Sequence, residues 1–475
     1  MQLCLALSLQ VFLPVSSMAQ ESRPVPEAVV RELKKVGIPM DAVGVYVQPL
    51  SGSGRSRIPA IRLNDNTPFV PASIMKVVTT YAALEILGPA YRWKTAAYLK
   101  GTQNGDVLNG DLIFKGGGDP KFNLESFWLF LRQIRSKGIR EIRGDLVLDR
   151  GAFEARYFDP AAFDNDPFRP YNASPDALLL NHKALEVTFR PNGLDGTVDV
   201  LVSPPLDGIM ISPPVLKDVG GCNGWQKEIN LRFSERQAVF EGQYPLSCGE
   251  QIWFISPYSM GDSSFFKAVF ANLWKELGGT FTGQVRDEST PPDALLLAEW
   301  LSPPLSEVIR DVNKYSNNVM ARHVLMAVGA QSSNGPASPE RGAFAVRSFL
   351  ASKGIALNGL QIENGSGLSR TERISPQTMG HILVTAYHSA VMPELMASLP
   401  IAGRDGTLWR SMRQTSLAGK AHLKTGTIQD VRAIAGYVLA ASGERYAVVF
   451  VVNHPNAASA IKARDRLLTW VHDSG

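Results

Sequence analysis

The sequence predicts an α/β (α+β) fold: a five-stranded antiparallel sheet flanked by helices and interrupted by a long β-rich insertion. Three observations carry this prediction. Two alternating apolar segments near the amino end, Val43 to Val47 and Ile58 to Leu63, are matched by three near the carboxyl end, His422 to Thr427, Ala433 to Ala441 and Tyr446 to Asn453. A helical stretch lies at each end, Glu27 to Val36 and Ala457 to His472, and more helical patterns fill residues 305–389. From about Lys94 to Thr290 the texture changes to short β-like runs separated by Gly, Asn, Asp and Pro. At 475 residues the chain exceeds what one compact core holds.

At the amino end, an apolar run from Leu3 to Val15 is followed by Ser16-Ser17-Met18-Ala19 before Gln20. The small residues Ser17 and Ala19 suit secretory cleavage, and the run is too short to span a bilayer, although no Lys or Arg precedes it. An exported, periplasmic protein is expected, with no transmembrane anchor in the mature chain. Removing residues 1–19 takes away Cys4 and leaves Cys222 and Cys248, for which a disulfide is the simplest reading outside the cell. Closing such a loop is worth about 3 kcal/mol in the chain-entropy model. The net charge of +4 requires no nucleic-acid groove and fits a weak attraction to acidic envelope polymers.

Pro71-Ala72-Ser73-Ile74-Met75-Lys76 opens an apolar run that continues through Tyr81, Leu84 and Leu87 to Gly88-Pro89. As a helix it starts on a proline and stops at a pair that cannot continue it. Ser73 and Lys76, three apart, share one face of that helix. A lysine with a lowered pKa can take the proton of a serine hydroxyl as it attacks a carbonyl. Unpaired N–H groups at the helix start can receive the oxyanion.

Within the insertion, helices are expected at Glu125 to Lys137 and Phe265 to Leu277. A nested β-rich part spans residues 186–256 and holds both cysteines; the rest of the insertion is 94–185 and 257–290, and the catalytic unit is 20–93 and 291–475. Gly116-Gly117-Gly118-Asp119-Pro120 lacks the Lys-Ser/Thr ending of a phosphate loop and reads as a tight turn. Further on, Leu305 to Lys314 and Val319 to Val328 read as helices joined at Tyr315-Ser316-Asn317-Asn318, and residues 329–338 as a loop. Glu340 to Lys353 and Pro376 to Ser389 read as helices flanking a turn at Asn364-Gly365-Ser366-Gly367.

A Ser-x-x-Lys alone is weak evidence, since Ser264-Phe265-Phe266-Lys267 repeats it. Company decides: Ser316-Asn317-Asn318 sits at a helix junction and Lys424-Thr425-Gly426-Thr427 on a strand, in the order of the three-part signature of serine acyl-transferring penicillin-binding proteins and β-lactamases. Ser332-Ser333-Asn334 repeats the middle triplet, whereas Lys-Thr-Gly occurs once. A strand glycine suits close approach of another backbone, such as a substrate lying beside the strand. The chemistry assigns Ser73 as nucleophile, Lys76 as base and Ser316 as proton relay. Asn318 would hold the acyl part of the substrate, and Lys424, Thr425 and Thr427 a substrate carboxylate. The N–H groups of Ser73 and Thr427 would form the oxyanion hole.

On these motifs, together with Gly116 to Pro120, Asn364 to Ser369 and Gly403 to Leu408, the chain resembles the low-molecular-mass class C penicillin-binding proteins, the D-alanyl-D-alanine carboxypeptidase/endopeptidase family. The resemblance implies a β-lactamase/transpeptidase-like domain with nested accessory domains between the first and second motifs. It also implies removal of terminal D-Ala from peptidoglycan stem peptides, cleavage of D-Ala to diaminopimelate crosslinks, and acylation by β-lactam antibiotics. No cofactor or metal is expected. Related sequences often carry Asp where Glu363 precedes Asn364.

Rival readings have less support. No Gly-x-Ser-x-Gly elbow and no His-Glu-x-x-His cluster is present, and the histidines sit mostly in structural patterns. A β-lactamase shares the chemistry, but the long insertion favours a polymer substrate. A non-catalytic wall-binding or penicillin-sensing module has no need for both a lysine base and a relay serine.

Overall fold

The computed structural model describes residues 24–51, 58–217, 220–332 and 335–475. The leader segment lies outside the described residues, as do Ser333 and Asn334. The main sheet has five strands in the order Ala421–Ile428, Val431–Leu439, Arg445–Asn453, Val43–Pro49, Ile61–Leu63, every neighbour antiparallel. Both chain ends therefore contribute to one sheet. Val45, Val47, Ile434, Val448 and Phe450 project to one face, where the helices Glu27–Lys35 and Ile461–Ser474 cover them with Leu33, Leu467 and Leu468. Tyr46, Ala435, Val449 and Val451 project to the other, against the central helices. This is the alternation of a sheet buried on both faces.

Met75–Leu87 is the axis of that second face. Its residues from Met75 to Leu84 are all buried, the pattern of a helix surrounded by others. Around it stand Leu305–Lys314, Asn318–Gln331, Pro339–Ser352 and Pro376–Tyr387. It ends where the Gly88 N–H returns to the Leu84 carbonyl at 3.1 Å with φ +84° at Gly88, a conformation glycine adopts freely. A short helix, Met392–Ser398, is one the sequence pattern did not suggest.

The insertion carries its own core. Seven strands form a sheet through Lys94–Asn104 and Val107–Lys115, and the latter runs parallel to Glu141–Ile142 and Leu146–Asp149. The helix Leu124–Ser136 makes the crossover that parallel strands require. It and Asp262–Glu276 cover the sheet with Phe127, Phe130, Phe266 and Phe270, which meet Phe114 edge-on or tilted. Nested within, Leu185–Asn192, Thr197–Ser203 and Gln251–Ile255 form a three-stranded sheet facing a four-stranded one, with Phe189 packed on Phe240, Tyr244 and Trp225. Cys222 and Cys248 are joined by a disulfide in this part.

One assignment is corrected. The sequence reading closes the insertion at residue 290, yet Leu295–Leu301 pairs antiparallel with the Lys94–Leu99 stretch as a strand of the inserted sheet, so the chain returns only at Ser302. Leu295-Leu296-Leu297 has no period-two alternation, and several of its side chains are exposed, which hides the strand from pattern reading.

Candidate active site

The first motif begins in a tighter turn than predicted. Ala72–Ile74 is a 3₁₀ turn, and the α-helix starts at Met75. Ala72 stands at φ +47°, a left-handed conformation that costs a non-glycine residue about 1–2 kcal/mol. Gly426 packs on this turn, where a β-carbon would stand 2.7 Å from the Pro71 carbonyl oxygen. The backbone that approaches Gly426 is thus the serine turn itself.

Lys76 is fully buried. Its Nζ lies 3.1 Å from Ser73 Oγ, 2.5 Å from Asn318 Oδ1, and within hydrogen-bond reach of the Ser366 carbonyl oxygen. Burial, reinforced by the nearby Lys424 charge, pushes its pKa well below the ordinary lysine value. A neutral amine fits these three partners: two N–H bonds go to Asn318 and Ser366, and the lone pair faces the Ser73 hydroxyl.

The second motif divides its labour. Ser316 takes φ +60°, Asn317 caps the next helix by accepting the Met320 N–H at 3.0 Å, and Asn318 alone reaches Lys76. Lys314 anchors the junction by donating to Asp405 at 2.6 Å and to the Leu399 carbonyl at 2.7 Å. Lys424, also fully buried, donates to Ser316 Oγ and to the Thr425 carbonyl oxygen, each at 2.9 Å, and burial pushes it down to about 7. Its strand is at the edge of the main sheet, with Thr427 exposed and Thr425 half-buried. The structure thus brings Ser73, Lys76, Ser316, Asn318 and Lys424 into one cluster, with Thr425, Gly426 and Thr427 along its rim.

Three partners escaped sequence reasoning. Thr407 Oγ1 lies 2.9 Å from Thr425 Oγ1. Ser366 offers its carbonyl to Lys76. Glu372 is fully buried and accepts the N–H groups of Glu363, Asn364, Gly365 and Gly367 at 2.7 to 3.1 Å, folding the loop that presents Ser366. Burial pushes its carboxyl upward, against the pull of those N–H groups. Its only sequence signal is a carboxylate beside a glycine-rich turn. The decoys lie elsewhere: Ser264 bonds Glu235, and Lys267 bonds Gln284. His323 is buried against the Gly118 carbonyl at 2.9 Å, the structural role expected of it.

A serine, a desolvated lysine and a second serine–lysine pair at a sheet edge equip the chain for acyl transfer through a serine ester. The chain belongs to the D-Ala-D-Ala carboxypeptidase 3 (S13) family, whose model matches residues 27–473. It is 33% identical over 420 residues to carboxypeptidase DacB of Mycolicibacterium smegmatis, covering 83% of this chain and 74% of that one. It is 28% identical over 394 residues to D-alanyl-D-alanine carboxypeptidase DacB of Haemophilus influenzae, covering 82% and 81%. Among solved structures, penicillin binding protein 4 of Haemophilus influenzae shares the fold with a TM-score of 0.77 at 24% identity, covering 92% of this chain and 98% of that one.

Proposed function

We propose that the protein is a serine-type D-alanyl-D-alanine carboxypeptidase, and a D,D-endopeptidase on crosslinks, acting on peptidoglycan in the periplasm through a Ser73 acyl-enzyme. The observation that carries this reading is Lys76, fully buried with its Nζ 3.1 Å from Ser73 Oγ and 2.5 Å from Asn318 Oδ1. Ser73 Oγ attacks the carbonyl of the penultimate D-Ala while its proton passes to Lys76. The N–H groups of Ser73 and Thr427 hold the oxyanion. Collapse expels the terminal amine, which takes a proton relayed by Ser316, and water then hydrolyses the ester. Lys424, Thr425 and Thr427 hold the terminal carboxylate of the substrate, which lies along the edge strand as an added one. Asn318 binds the acyl part as well as Lys76. Residues 94–301 are read as accessory parts that present a branched polymer to this cleft.

The family and the carboxypeptidase names of the relatives support the reaction class. β-Lactams would acylate the same serine. Among the described residues no helix is long and apolar enough to cross a membrane. Digestion of purified muropeptides, weighed by mass spectrometry, tests the reading: loss of one alanine reports the carboxypeptidase and splitting of dimers the endopeptidase. Ser73→Ala should abolish both, along with labelling by fluorescent penicillin. Wild-type protein that produces neither change overturns it.

A further inference from the structure

Glu372 is a fully buried acid that the reaction as written leaves unused. Its Oε1 gathers the N–H groups of Glu363, Asn364 and Gly365, and its Oε2 accepts the Gly367 N–H at 2.9 Å. That last bond has a consequence for the base. The Gly367 N–H and the Ser366 carbonyl belong to one planar peptide and point opposite ways across it. One end of this peptide therefore rests on Glu372 and the other accepts from Lys76 Nζ. A single peptide unit links the buried acid to the buried lysine, and hydrogen bonds in such a chain polarise one another. The preceding carbonyl, that of Gly365, is tied separately to the same helix, where it accepts the Thr79 hydroxyl at 2.7 Å. Gly367 also packs on the Ala72–Ser73 peptide, so the loop that Glu372 folds touches both the base and the turn of the nucleophile.

The charges around Lys76 give this acid a second use. A carboxyl that faces four N–H donors is built for its ionised form, since a protonated one would turn its own O–H toward them. Burial of Lys76 favours the neutral amine, and so do the charges of Lys424 on the edge strand and Arg322 on the helix Asn318–Gln331. Among the groups that act on Lys76, Glu372 favours the ammonium. Glu363, the other acid of the loop, is bonded to the hydroxyls of Ser369 and Thr371. When Lys76 takes the Ser73 proton it becomes a cation out of contact with water, which is costly without a negative charge nearby.

We propose that Glu372 is the positioning residue of the acylation step: through the Ser366–Gly367 peptide it holds an acceptor against Lys76, and its carboxylate balances the ammonium formed there. The proton passes from Ser73 Oγ to Lys76 Nζ as the serine oxygen bonds the carbonyl carbon, and Glu372 exchanges neither proton nor bond. The proposal rests on the functional reading above, in which Lys76 is the base.

Stopped-flow acylation of the full chain by fluorescent penicillin, followed from about pH 5 to about pH 9, tests it. Glu372→Gln removes the charge and keeps the shape. Its plateau rate should fall about 100-fold, and its acid limb should lie at lower pH than that of the wild type, because Lys76 loses the group that favours its protonation. Thr79→Val loosens the same loop and leaves the charge in place. It should lower the melting temperature and slow acylation about threefold, with the acid limb unmoved. A Glu372 that only folds the loop would give the Thr79→Val pattern. Glu372→Asn, neutral and smaller, is expected to move the limb in the same direction and replaces Glu372→Gln if that variant does not fold. An acid limb at the wild-type position in the neutral variant, or a plateau rate within about threefold of wild type, overturns the proposal and leaves the functional reading standing. A wild type that penicillin does not acylate overturns both.

Discussion

Gly367 lies so close to Ala72 that a β-carbon on it would stand 1.9 Å from the Ala72 carbonyl oxygen and 2.7 Å from the Ser73 nitrogen. Its φ of +80° and its N–H bond to Glu372 at 2.9 Å fix it there. Gly426 presses on the same turn from the edge strand, so two glycines grip the left-handed backbone ahead of the nucleophile. The strain at Ala72 is sustained by this packing.

Gly367→Ala should therefore displace the serine turn. We expect a loss of about 2–4 kcal/mol in stability and an acylation rate by fluorescent penicillin lower by about 100-fold. Thermal denaturation and stopped-flow labelling measure the two. Acylation at the wild-type rate would show that the turn tolerates displacement.

The two asparagines of the second motif should separate cleanly. Asn317→Ala removes a helix cap and is expected to cost about 1 kcal/mol of stability. Asn318→Ala removes the acceptor 2.5 Å from Lys76, and we expect the acylation rate to fall about 10- to 100-fold, with a smaller change in melting temperature. Denaturant melts and labelling kinetics on both variants check this. A larger rate loss in Asn317→Ala would contradict the division of roles.

That division marks where sequence reasoning reaches its limit. Ser73, Lys76, Ser316 and Lys424 were legible because their residue types and order have a chemical meaning that survives without coordinates. The main-sheet strands and the central helices were legible because their apolar periods are strong; Leu305–Lys314 fell on its predicted bounds. Glu372, the Ser366 carbonyl and Thr407 were hidden because their contacts depend on tertiary approach, and a backbone carbonyl carries no residue signature. Gly426 was noticed as a point of close approach, but the serine turn that presses on it was not foreseen, since spacing shows that something comes close and not what it is. The parallel pairing in the insertion was out of reach for the same reason: its short strands meet only through a crossover.

The two buried lysines predict a pH profile. Acylation by a carboxylate-bearing β-lactam requires neutral Lys76 and cationic Lys424. Lys424, pushed down to about 7, loses its proton above that pH, so the second-order rate should decline on the alkaline side with an apparent pKa near 7. Lys76, also lowered, supplies the acid limb. Stability gives an independent check with a definite sign. A lysine with a depressed folded pKa binds fewer protons folded than unfolded, so the ligand-free protein should gain stability as pH rises from about 7 toward the unfolded value of 10.5. Lys424→Met should lose the alkaline decline together with that part of the stability gain. A wild-type rate that is flat between pH 7 and 9 would refute the assignment.

His323 gives a slope of the same sign at acid pH. It bridges the insertion and the central helices, with Nδ1 2.9 Å from the Gly118 carbonyl oxygen and Nε2 receiving the Asp176 N–H at 3.4 Å. Burial pushes it down to about 4 from the usual 6.5. The neutral ring therefore contributes stability that is intact above pH 6.5 and is lost as pH falls through 4, by at most about 3 kcal/mol. His182, also held near 4 by burial, adds a loss of the same sign. His323→Asn keeps polar atoms at the site without a group that titrates in this range. We expect it to be less stable than wild type at pH 7 and to lose less on going to pH 4.5, with the difference read from urea melts at the two values. An identical drop in both proteins would place the acid sensitivity elsewhere, at His182 among others.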